Sequence, residues 1–148
     1  AFDLTLPVII HNREASADVL TILAESSLQE VEKPGVLHSF LGEPETAKKA
    51  LEMGYFLGFT GPITYKKNEW LRDILRETPT DRILVETDGP FLSPQKHRGQ
   101  RNEPAYVKEI AKFMARILKI DEAIFANITT ENAACLFGRE EIYGESGS

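Results

Sequence analysis

Cysteine is almost absent. One residue, Cys135, stands in 148, so no disulfide can close within the chain and cysteine usage gives no hint of secretion. Long apolar runs are also missing. The longest, Leu6-Pro7-Val8-Ile9-Ile10, has five residues against the ~20 of a membrane helix. No basic segment precedes it, so neither a signal peptide nor a membrane contact is expected. Positive charge is short: 17 Lys and Arg face 23 Asp and Glu, a formal charge of −6. That excludes a global basic field, so contact with DNA or RNA would need a local basic patch or a metal. The 10 glycines and 8 prolines are an average load, which excludes collagen-like and low-complexity architectures. What remains is a cytoplasmic, water-soluble chain read as one domain over residues 1–148. A chain of this length buries roughly 70% of its unfolded surface. Ala1 in place of a starting Met, and the closing Gly147-Ser148, read as ends that are not native.

Four short apolar runs are present: Leu6 to Ile10, Val36 to Phe40, Tyr55 to Thr60, and Ile83 to Val85 with an extension to Asp88. Their length and content of Val, Ile, Leu and aromatics suit buried parallel strands. Each precedes a helical pattern. Ala15, Val19, Leu23 and Ala24 follow the first. Gly42-Glu43-Pro44 opens a second helix with Pro in its first turn, carrying Ala47, Ala50 and Leu51 and closed by Gly54. Asn68 is read as the N-cap of a third helix with Leu71, Ile74 and Leu75, ended before Pro79. After a longer loop, Pro104 starts a helix holding Val107, Ile110, Met114 and Leu118. Two more helical segments are expected from about Asp121 and about Thr130, stopped at Gly138, with a fraying tail from Glu140. The order βαβαβαβα predicts an α/β fold with a parallel sheet made of (β/α) units.

Three runs end in residues that bind metals. His11 ends the first, His38 lies in the second, and Asp88 ends the fourth. Strand C-termini of a parallel α/β sheet share one side, where ligands bind. Imidazole with carboxylate suits a divalent ion such as Zn, Mn or Fe. The plainer alternative is two hydrogen-bonded core histidines and a turn-capping aspartate before Gly89-Pro90. Three such residues at equivalent strand ends favour the metal.

The same stretches resemble the TatD-type metal-dependent deoxyribonucleases. Pro7 through Ala15, with His11 and Arg13, is similar to their PxxxHxRxA segment, and Gly35 through Phe40 to a metal-histidine strand. Glu86-Thr87-Asp88-Gly89-Pro90-Phe91-Leu92-Ser93-Pro94 with Arg98-Gly99-Gln100-Arg101-Asn102-Glu103-Pro104 resembles their ETDxPxLxP…RGxxNxP signature. Thr129 to Ala133 with Leu136-Phe137 matches the closing helix. The resemblance implies the C-terminal half, strands five to eight, of a (β/α)8 barrel. It implies hydrolysis of DNA phosphodiesters with one or two divalent ions (Zn, Mg or Mn), and metal ligation by His11, His38 and Asp88. Asp88 also orients or deprotonates the attacking water. Gly89 replaces the Ser, Thr or Ala usual there and removes no ligand.

The family's HxH pair on its first strand and its bridging Glu have no counterpart here. A barrel needs at least ~200 residues, and a two-metal site needs ions ~4 Å apart and a ligand between them, so an incomplete site is expected. Glu86, two residues before Asp88, shares its face. It either holds a metal ligand or water in place or is a buried carboxylate paired with Arg13 or another base. Arg13 binds a substrate phosphate or pairs with an internal acid. Lys96, His97, Arg98 and Arg101 form the one basic cluster, with Arg98 or Arg101 expected on phosphate and Asn102 capping the next helix. Trp70 is read as packing and Cys135 as core. The expected partner is DNA or a small phosphodiester. A missing N-terminal half, or a second copy closing a barrel as a homodimer, would complete the fold. In that reading Val36, Leu84 and Phe40 lie exposed on the open face, unless the C-terminal helices fold over it. The rivals are a related barrel hydrolase of esters, amides or lactones, and an inactive fragment or assembly unit.

Overall fold

A computed structural model describes residues 1–4, 6–26 and 31–138; the expected tail from Glu140 and the final Gly147-Ser148 lie outside the described residues. Four strands, β1 (Val8–His11), β2 (Gly35–His38), β3 (Phe56–Phe59) and β4 (Ile83–Val85), form one sheet in the order β1-β2-β3-β4, every pair parallel. The helices are α1 (Ser16–Glu25), α2 (Pro44–Glu52), α3 (Glu69–Glu77), α4 (Val107–Leu118) and α5 (Glu122–Phe137). Among the described residues no helix is long and apolar enough to cross a membrane.

The elements start and stop for local reasons. β1 begins at Val8 rather than Leu6, because Pro7 has no N–H to give the ladder. β2 ends at His38, where Ser39 turns into left-handed backbone with φ 47°. β4 stops at Val85, short of the expected Asp88. Pro44 sits in the first turn of α2, and Gly54, at φ 84°, turns the chain into β3. Asn68 precedes α3, but its side-chain amide donates to the Pro62 carbonyl and leaves the helix N–H groups alone. The two segments expected after Asp121 are one helix, α5. Its β-branched Thr129 and Thr130 do not break it, since their hydroxyls bond back to the Phe125 and Ala126 carbonyls. Asp121 caps α5 by accepting from the Ala123 and Ile124 N–H groups.

The parallel register places side chains on two faces. Leu37, Leu57, Phe59 and Ile83 lie against the helices, packed with Ala50, Leu71, Leu75, Ile110, Met114 and Phe125. α3 supplies Leu71, Ile74 and Leu75, the spacing that lines one helical face. The other face reads as an ordered series. Ile9 is level with Val36, Val36 with Phe56, and Gly58 with Leu84; one step further along, His11 is level with His38. Each strand therefore offers an apolar residue first and, two positions later, His11, His38, Gly58 or Glu86. The apolar row is covered where α5 crosses it: Val36, Phe56 and Leu84 are buried with Leu136 and Ala133. This corrects the expectation that Val36, Leu84 and Phe40 lie exposed. α5 shields the first two, and Phe40 is buried in the helix-side core. Ile9, on edge strand β1, stays 65% exposed. Cys135 is half-buried rather than core, with its Sγ 2.6 Å from Lys33 Nζ.

Candidate metal centre at the strand ends

The polar ends of the strands meet around His38. Its Nδ1 is 2.5 Å from Glu86 Oε2, and its Nε2 is 3.3 Å from Asp88 Oδ1. The Ser39 N–H, delivered by that residue's left-handed turn, donates to the same Glu86 oxygen at 3.1 Å. The Ser39 hydroxyl meets the Thr60 hydroxyl at 2.8 Å, which ties the ends of β2 and β3 together. Burial pushes the Glu86 carboxyl above its ordinary range, opposed by His38 and the Ser39 N–H. Asp88 also has left-handed backbone, φ 52°, a conformation uncommon outside glycine that Asp tolerates better than most residues.

This arrangement suits a divalent cation at one point. As a carboxylate, Glu86 can only accept, so His38 gives it the Nδ1–H and is left with a lone pair on Nε2. That lone pair faces the Asp88 carboxylate. Two acceptors 3.3 Å apart need a proton or a cation between them, and this is the spacing of two ligands sharing an ion at about 2.1 Å each. A carboxylate on the far nitrogen is also the usual partner of a metal-binding histidine. His11 is on the same face in the neighbouring register position, its ring centroid 6.2 Å from that of His38. Among the described residues no group of three or more His, Cys, Asp or Glu stands close enough to hold a metal ion. His38 and Asp88 therefore offer two donor atoms facing one point, and His11 lies beside them without completing a set of three.

The remaining expected residues divide. Glu86 is bonded to His38 and Ser39, so the base it pairs with is His38, and among the described residues no ion pair joins it to Arg13. Arg13 is exposed, and among the described residues no hydrogen bond or ion pair joins it to the site, because it follows the end of β1 at the rim. The basic cluster is dispersed. Lys96 and His97 both face Glu109, and His97 stacks on Tyr106 with centroids 4.1 Å apart. Arg98 lies over the Tyr65 ring at 4.8 Å, and Arg101 is exposed. Trp70 is 39% exposed, so it packs only in part. Asn102 does not cap the next helix: Glu103 precedes the turn at Pro104, and no side chain caps it. Buried, Asn102 donates to the Thr87 and Phe91 carbonyls and accepts from the Glu103 N–H, while its own N–H reaches the Pro90 carbonyl. It thereby fixes the loop that carries Asp88. Sequence reasoning missed this role, and it missed Gly58. A glycine inside an apolar strand is the signal for a close approach.

A groove of about 1390 Å³ opens beside His38, Glu86 and Asp88 and runs along β4 between that strand and helices α4 and α5. It is a cleft large enough for a substrate or for another segment of protein.

Comparison with known proteins gives the family and the fold. Residues 1–138 match the family described as TatD related DNase. The uncharacterized metal-dependent hydrolase YabD of Bacillus subtilis is 44% identical over 137 residues, covering 93% of this chain and 53% of the relative. The uncharacterized metal-dependent hydrolase YcfH of Escherichia coli K12 is 44% identical, with 91% of this chain and 50% of the relative covered. Among solved structures, the TatD homologue YJJV of Escherichia coli K12 superposes with a TM-score of 0.83 at 27% identity, covering 90% of this chain and 50% of its own. The chain spans about half the length of the curated relatives it matches. With a parallel α/β fold and a His–Asp pair at its strand ends, this chain belongs to the TatD-related DNase family of metal-dependent hydrolases.

Proposed function

We propose that this chain supplies part of the active site of a divalent-metal hydrolase that cleaves DNA phosphodiesters, on the C-terminal half of a (β/α)8 barrel. The observation that carries the reading is the His38–Asp88 pair, held from behind by Glu86. His38 Nε2 and Asp88 Oδ1 would hold the ion, with His11 as a further ligand at the same rim. A bound divalent ion, Zn, Mg or Mn, supplies Lewis acidity toward a phosphoryl oxygen and toward water. Asp88 has a second carboxylate oxygen free to orient the attacking water and accept its proton. Arg98 and Arg101, on the loop that follows Asp88, would take the substrate phosphate, Arg98 braced by Tyr65. The family's description as a DNase supports DNA as substrate.

His38, Asp88 and His11 could serve one ion and offer no bridging ligand for a second, so the remaining ligands come from outside this stretch: from an N-terminal half or from a second copy closing the barrel. The test compares a DNA phosphodiester with a carboxylic ester and a lactone. The isolated chain is expected to be a very poor nuclease, raised by adding an N-terminal half from a relative and silenced by Asp88→Ala. Robust Mn-dependent DNA cleavage by the chain alone would contradict the need for outside ligands. Turnover of the ester or lactone but not DNA would overturn the substrate.

A further inference from the structure

Residue 58 is glycine in the middle of β3, among buried aromatic and aliphatic neighbours. Its conformation does not require glycine, for it is not among the residues with positive φ. Space does. A Cβ built there would overlap the Glu86 side chain, and its three nearest atoms are all from that carboxyl group. None of those three atoms is backbone. Gly58 thus differs from Gly35 and Gly61, where the obstruction is the Val8 or Leu92 carbonyl and the demand is one of chain packing.

We propose that Gly58 is a positioning residue for the metal centre: its missing side chain is the seat on which the Glu86 carboxylate rests, and from that seat Glu86 holds His38 in the Nδ1–H form with Nε2 open to the rim. Three strands build the device. β2 contributes His38 and the Ser39 N–H, β3 the seat, and the end of β4 the carboxylate. The Phe40 N–H bonds to the Gly58 carbonyl at 2.8 Å and the Glu86 N–H to the Phe59 carbonyl at 3.0 Å, so both sides of the seat are fixed by backbone. A methyl group at 58 cannot be accommodated by sliding the strands. It displaces the carboxylate, and a ring without that acceptor has nothing to keep its proton on Nδ1. The value of the device to catalysis rests on the metal reading above, but the tautomer it imposes does not.

Nitrogen-15 NMR of histidine-labelled, metal-free chain, at a pH where the imidazole is neutral, reads the tautomer directly. The wild-type chain is expected to show His38 with its proton on Nδ1. Glu86→Ala should release it, and Gly58→Ala should do the same. In the Glu86→Ala background, Gly58→Ala should change nothing further, because the methyl then meets no carboxylate. Mn²⁺ affinity, read separately, should fall about tenfold or more in each single variant. An Nε2–H His38 in the wild-type chain overturns the proposal, as does an unmoved tautomer in Gly58→Ala. An equal effect of Gly58→Ala with and without Glu86 would assign glycine to packing alone. Should Gly58→Ala not fold, the double variant decides: its folding in the Glu86→Ala background assigns the clash to the carboxylate, and its failure there overturns the seat. A chain that shows the expected tautomers but binds no metal would refute the metal reading and leave the seat standing.

Discussion

Asp88 combines chemical and conformational demands in one residue. Its carboxylate faces His38 Nε2, and its backbone is left-handed, which costs a non-glycine residue on the order of 1 kcal/mol or more. Asp88→Gly is therefore expected to keep or raise the thermal midpoint while abolishing metal binding; a clear loss of stability in differential scanning calorimetry would show that Asp88 is held for structure. Asn102 is the opposite case. It touches no reacting group in this account, yet it satisfies two loop carbonyls and one N–H while buried. Asn102→Ala should cost about 1–3 kcal/mol in urea unfolding, the penalty for orphaning buried groups. The gathering of His11, His38 and Asp88 at one end of the sheet was legible in the sequence, because each is a residue type able to bind metal and stands at or beside the end of an apolar run. Gly58 and Asn102 were not legible in role. What each does depends on a partner 28 or 15 positions away, Glu86 or Thr87, and no local pattern encodes that pairing.

Among the elements, α3 shows how an exposed acid can organise a buried base. The Arg72 guanidinium is buried and donates to the Ile63, Tyr65 and Lys66 carbonyls, while Glu69, one turn earlier, pairs with both Arg72 and Arg76. Hydrogen bonds from Arg72 and then Arg76 hold the Glu69 carboxyl below its ordinary range. A depressed carboxylate contributes stability that is fully present above its unfolded value of about 4.3 and lost as pH falls through the lower folded value. The thermal midpoint should accordingly fall as pH drops below about 4.3, and Glu69→Gln should flatten that slope slightly, since the acid is exposed. An unchanged slope would remove Glu69 from the balance. The four strands and their helices were readable from apolar runs and helical spacing. Their ends were set by features that act only in the fold, such as Pro7 at the ladder and Ser39 turning left-handed. α5 was misread as two segments because β-branched residues at its centre weaken local helix propensity, and packing on the sheet overrides that weakness.

Among the described residues the sheet is open, and its two edges, β1 and β4, have no strand on their outer sides. Leu6, Ile9 and Ile22 are exposed on the β1 side, and the groove beside β4 carries the exposed Val107 and Phe137. Open apolar edges are templates for pairing, so the pure chain is expected to self-associate. Its mass by sedimentation should rise with concentration above 16.6 kDa, and Ile9→Lys should reverse the rise. A constant monomer mass would show that α5 covers enough of the open face by itself. The central claim, however, is that His38 and Asp88 form a divalent-metal site. Mn²⁺ titration of the purified chain, followed by electron paramagnetic resonance of the free ion, tests it most directly. The account predicts one weak site per chain, lost in both Asp88→Asn and His38→Ala while circular dichroism is unchanged. No binding by the wild-type chain, or binding that survives both substitutions, would contradict it.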